Sequence, residues 1–237
     1  WREVLRDDFF RLPEEEYYAK HIPILMQVSL AVAYAHSRGV VHRDLKPSQV
    51  MVGDYGEVLL MDWGLSLVFR EDGFHDEAER QVPLPTTEFS INPAGTPAFM
   101  APEQTTSMAD GIGPWTDVYL LGGMLYFLLT LHAPHAHADK VETLRMARAG
   151  VVAPPRERAP HRFIPPELER LVADATTPSR GTRMAQAEQF HERLAEFLGG
   201  TARRKESMEL AAQVADALRA EPADYEELAA LSATNDR

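Results

Sequence analysis

Ten consecutive residues, His42-Arg43-Asp44-Leu45-Lys46-Pro47-Ser48-Gln49-Val50-Met51, constrain this 237-residue chain more than any other stretch. They set a carboxylate at position 44, an amine two residues later and an amide side chain three further on. A base, a cation and an oxygen donor thus share one short segment. Phosphoryl transfer asks for that set: a carboxylate to take a hydroxyl proton, positive charge on the moving group, and a metal ligand. An Asp in a turn often does no more than cap backbone amides. That reading leaves the surrounding His42, Arg43, Lys46 and Pro47 without a reason, and the chain has only four lysines to place by chance.

Two further blocks follow. Met61-Asp62-Trp63-Gly64 lies with its Asp sixteen residues past Lys46, and Ala101-Pro102-Glu103 begins 39 residues past Asp62. In order and spacing the three blocks resemble the catalytic loop, the metal-binding loop and the end of the activation segment of bacterial-type serine/threonine protein kinases. The resemblance implies roles residue by residue. Asp44 is the catalytic base, Lys46 neutralises the transferring phosphoryl group, and Asp62 binds magnesium on the phosphates of ATP. Gln49 stands where the family has Asn as a second magnesium ligand, one methylene too long for an ion that tolerates little departure from octahedral geometry. Trp63 replaces the usual Phe, and Gly64 permits the turn that follows. Met51 takes the hairpin position beneath the adenine, though plain core is an equal reading of an apolar strand residue.

Gly95-Thr96-Pro97-Ala98-Phe99-Met100 resembles the substrate-docking stretch, with Thr96 near Asp44 and Lys46. Thr86, Thr87 and Ser90 are candidate phosphorylation sites that would order the loop against Arg43. His42, Arg43, Trp63, Gly64, Glu103, Asp117 and Arg183 receive structural roles, with Glu103 and Arg183 as an ion pair and Asp117 as an anchor of the catalytic loop. The implied partner is a protein carrying serine or threonine. His132, His135, His137 and Asp139 raise zinc as a second thought, but loop histidines are more often solvated.

Net charge of −12 argues against nucleic acid or an anionic membrane surface as partner. No cysteine is present, which fits a cytoplasmic protein. The apolar run Val118 to Leu131 has 14 residues, a core helix rather than a membrane span.

Periodicity predicts a mainly α architecture with one small β-hairpin, matching a kinase-like C-terminal lobe over residues 1–198, in a fold that is α+β overall. A helical extension or linker fills 199–237. The long helix is read as having Pro23 in its first turn, helix 117–130 as capped by Thr116, and the compact part as ending at Gly199-Gly200. Residues 70–95 read as a loop. The 41 residues before His42 hold no G-x-G-x-x-G and no strand lysine. The expectation is therefore a chain that starts just after the hinge, lacks the small lobe and is inactive alone. The alternative is a pseudokinase or scaffold lobe that binds proteins without phosphotransfer.

Overall fold

The structure, a computed structural model, describes residues 1–69, 85–86, 93–106 and 111–220. The chain falls into two units, Trp1–Phe197 and Leu198–Arg237. The first is mainly helical. It contains α1 (Arg2–Arg11), α2 (Glu14–Ser37), α3 (Pro114–Thr130), α4 (Lys140–Ala149), the short α5 (Pro155–Arg158), α6 (Pro166–Ala175) and the start of α7 (Ala187–Ala220). The strands are β1 (Val40–Val41), β2 (Val50–Val52), β3 (Val58–Leu60) and β4 (Leu67–Val68).

Helix α2 buries Tyr18, Ile22, Leu25, Ser29, Val32 and His36, three and four residues apart, so one continuous stripe faces the core. Pro23 lies well inside this helix rather than in its first turn. Burial of Tyr17, Tyr18 and His21 on the turns before it holds the helix together across the ring, and Tyr17 Oη donates to Leu128 O of α3 at 2.9 Å. Helix α3 is apolar on all sides and buried on all sides from Thr116 to Thr130. At Gly122 a Cβ would come within 2.8 Å of Ala175 Cβ and 2.9 Å of Thr176 Cγ2, so glycine is what lets α6 pack this close. Helix α6 answers with Leu168, Leu171, Val172 and Ala175 on one buried face.

Thr116 is not the cap of α3. The helix starts at Pro114 after Gly113, and the Gly113 N–H donates back to Thr116 Oγ1 at 3.3 Å. Gly199-Gly200 does not end a helix either, because α7 runs through both glycines to Ala220. Two glycines cost about 1 kcal/mol each relative to Ala, which the helical residues on either side outweigh. The part of the expected extension beyond Ala220 lies outside the described residues.

The hairpin forms as predicted: β2 and β3 pair antiparallel with Val50 opposite Leu60, Met51 opposite Leu59 and Val52 opposite Val58. A second small antiparallel sheet joins β1 to β4, with Val41 opposite Leu67. Both strands are two residues long, too short for alternation to announce them.

Besides His42, two histidines are fully buried, His21 and His135. His21 takes the Trp1 indole N–H on Nδ1 at 3.1 Å and meets Asp8 Oδ2 at 2.9 Å, while His135 meets the Tyr119 hydroxyl at 2.9 Å. Burial pushes both imidazoles down to about 4, from 6.5. Between those limits the unfolded chain binds protons that the native chain refuses, so stability is whole above pH 6.5 and drains away toward pH 4. Each group contributes on the order of 3 kcal/mol to that loss, at ~1.4 kcal/mol per pKa unit. Melting temperature followed from pH 7.5 to 4.5 is expected to fall, and His135→Gln to flatten the slope. An unchanged slope would remove His135 from this account.

Candidate active site

Strand β1 delivers the chain to His42, and one buried carboxylate then takes hold of it. Asp117, near the start of α3 and wholly buried, accepts the His42 N–H on Oδ2 at 2.8 Å and the Arg43 N–H on Oδ1 at 2.9 Å. His36 Nε2, from the end of α2, lies 2.9 Å from Oδ2. Burial alone would raise the Asp117 carboxyl, but the His36 contact, the nearby His42 and the backbone bond hold it below the usual carboxylate range. Arg43 is thereby kept at φ 71, a left-handed conformation that costs a non-glycine residue about 1–2 kcal/mol. Its guanidinium is buried and donates to Leu65 O at 3.4 Å.

The His42 ring receives the Asp44 N–H on Nδ1 at 3.3 Å and donates from Nε2 to Met61 O at 3.1 Å. One imidazole therefore ties the segment at 42–51 to the segment at 61–64. Trp63 lies against the same ring at 4.6 Å and donates its indole N–H to Leu60 O at 3.1 Å. Between these contacts Asp62 is held at φ 62 and is exposed to solvent.

Asp44, Lys46 and Thr96 form a closed triangle. Lys46 Nζ donates to Asp44 Oδ2 at 2.5 Å and to Thr96 Oγ1 at 2.6 Å, and Thr96 Oγ1 donates to Asp44 Oδ1 at 2.6 Å. Across the loop, Gln49 Nε2 donates to Asp62 Oδ2 at 2.8 Å. Here the amide nitrogen faces the carboxylate; with the amide turned over, its oxygen and the Asp62 carboxylate make the hard donor set that magnesium prefers. The residues present fit that ion.

The model of the protein kinase domain matches residues 5–195. The chain belongs to the protein kinase domain family. The serine/threonine-protein kinase PknD of Chlamydia trachomatis is 32% identical over 211 residues, 84% of this chain and 21% of that protein. PknD of Chlamydia abortus is 35% identical over 185 residues, 74% of this chain and 19% of that protein. The matched region is thus about a fifth of the length of these curated relatives.

Within the kinase domain the other expected site residues fall as follows. Glu103 and Arg183, 80 residues apart, meet in a buried two-pronged ion pair at 2.7 and 3.1 Å. Met51 is 50% exposed on the outer face of the hairpin beside Leu59. Thr86 bridges Val68, and its hydroxyl is closed to solvent. Thr87 and Ser90 lie outside the described residues. The loop histidines do not converge: His132 Nδ1 turns to Thr130 O, His135 to Tyr119, and His137 Nδ1 to the Asp139 N–H. Among the described residues no group of three or more His, Asp or Glu side chains is placed to hold a metal, and no helix is long and apolar enough to cross a membrane. Sequence reasoning missed two site residues. His36 gave no signal beyond its place on the stripe of α2, and Gln104, directly after Ala101-Pro102-Glu103, was legible only as one more polar residue in a polar stretch.

Proposed function

We propose that this chain carries the catalytic half of a serine/threonine protein kinase, moving the terminal phosphoryl group of ATP to a protein hydroxyl. The triangle of Asp44, Lys46 and Thr96 carries this reading. A substrate hydroxyl brought to Asp44 finds a carboxylate able to take its proton. Lys46, already beside that carboxylate, presents a cation to the group in transfer, where charge spreads over the phosphoryl oxygens. Thr96 orients both partners, and Asp117 fixes the backbone from which the base projects. Asp62 and Gln49 would hold magnesium, which when bound neutralises phosphate charge. The glycine-rich loop and strand lysine that cover ATP in this family are not among the 41 residues before His42.

Gln49 supports a second reading. Its amide N–H occupies an Asp62 oxygen, as in a lobe that holds partners without transferring phosphate. The experiment is incubation of the natural full-length protein with magnesium, ATP and a serine-containing protein substrate, read by mass spectrometry. A phosphorylated serine or threonine supports the kinase reading, and its absence at all magnesium concentrations leaves the binding lobe. Shortening the amide by Gln49→Asn is expected to raise kcat by about tenfold, since a displacement near 1 Å costs on the order of 10²-fold in rate. No rise would mean that Gln49 is not what limits the ion.

A further inference from the structure

Directly after Ala101-Pro102-Glu103, Gln104 is fully buried in the 3-10 turn Pro102–Thr105. Its Oε1 accepts the Ala101 N–H at 3.0 Å, an ordinary cap of its own turn. The other end of the amide leaves the turn. Nε2 donates to Arg43 O at 2.7 Å and to Ala94 O at 3.0 Å. Each of those carbonyls lies within two residues of a member of the triangle, Arg43 before Asp44 and Ala94 before Gly95-Thr96. Gly95 shows how close the approach is. It sits at φ 129, and a Cβ there would meet Gln104 Nε2 at 3.0 Å and Arg43 O at 3.1 Å.

We propose that Gln104 is a positioning residue that sets the register of the Asp44 carboxylate against the Thr96 hydroxyl. The inference rests on the phosphotransfer reading and deepens it. Only a side chain with two donors on one nitrogen and an acceptor beside it satisfies all three backbone groups at once. The Arg43 carbonyl is directed by a left-handed residue whose N–H is already fixed by Asp117. Gln104 fixes the other side of that residue, so the peptide leading into Asp44 is clamped at both ends. The same nitrogen carries the peptide leading to Thr96. The 2.6 Å contact between Thr96 Oγ1 and Asp44 Oδ1 is then the consequence of one amide holding two strands of backbone.

The test measures kcat and KM for ATP in the natural full-length protein, for wild type, Gln104→Leu, Thr96→Val and the double variant. Gln104→Leu is expected to lower kcat by about tenfold or more, with little change in KM for ATP, because a small misplacement of the base is costly in rate. In the Thr96→Val background the same change is expected to lower kcat by less than about threefold, since two residues acting through one contact are not additive. Additive losses, or a rise in KM for ATP equal to the fall in kcat, would overturn the proposal. Gln104→Glu provides a second arm with nearly the same volume. A carboxylate there repels both carbonyls, whereas the protonated acid donates to one, so its kcat relative to wild type should rise as pH falls from 8 to 5.5. A ratio independent of pH would count against the assignment. Wild type without any transfer removes the phosphotransfer reading and this inference together, while active wild type with Gln104→Leu at full kcat removes this inference alone.

Discussion

Asp44→Asn is expected to reduce phosphoryl transfer by about 10³-fold, within the range that a positioned general base contributes, while the fold stays intact. Asn matches Asp in shape, so packing around Leu45 and the His42 ring need not change. What changes is the triangle. Asp44 now accepts from Lys46 on one oxygen and from Thr96 on the other. An amide offers one oxygen and one NH2 group, so with Lys46 on the oxygen the Thr96 hydroxyl must turn from donor to acceptor or face another donor. Lys46 loses the negative charge that holds it, and no group remains beside the substrate hydroxyl to take its proton. Steady-state rates with a serine substrate, set beside melting temperatures of both proteins, decide the point. If the Asn variant kept more than a tenth of wild-type kcat, Asp44 would not be the base.

Arg183→Met is expected to lower stability by about 3–5 kcal/mol, the usual result of leaving one partner of a buried ion pair uncompensated. All five guanidinium N–H groups are used. Nε donates to Thr177 O at 2.7 Å, Nη1 to Glu103 Oε1 and Trp115 O, and Nη2 to Glu103 Oε2 and Pro178 O. The guanidinium also lies over the Tyr119 ring at 4.8 Å. Removing it strands the Glu103 carboxylate, whose Oε1 keeps only the Thr116 hydroxyl at 3.0 Å, and frees three carbonyls in the same space. At about 2–4 °C per kcal/mol for a domain of this size, the melting temperature should drop by roughly 10 °C. Adding Glu103→Gln to Arg183→Met should restore part of the loss, because the stranded charge is gone. A single-variant loss under about 1 kcal/mol would show that the site is open to water in solution.

Motifs made the short loops legible because their chemistry admits few residue types at each position. Asp44, Lys46 and Thr96 are such residues, and the family resemblance alone brought Glu103 to Arg183 across 80 residues. Helical spacing located the long helix α2, since a buried stripe must recur every three or four residues. The failures have physical causes. Pro23 reads as a helix start because an isolated chain would break there, yet buried aromatic side chains on the preceding turns overrule it. Gly199-Gly200 reads as a stop for the same local reason. The sheet of β1 and β4 is two residues deep, below the length at which alternation can be seen. Gln104 was hidden most thoroughly: nothing local distinguishes an amide that caps its own turn from one that also spans two other segments.

The clamps around Asp44 join residues far apart in the chain, with Thr96 52 positions away, Asp117 74 from Arg43, and Arg183 80 from Glu103. Closing loops of that length is entropically unfavourable until the packing that rewards it is in place, which slows folding. During synthesis the triangle has no Thr96 until all of residues 70–95 have been made, and its supporting ion pair waits for Arg183. A nascent chain halted before that point holds every residue of the His42–Met51 segment and none of the geometry that makes it reactive.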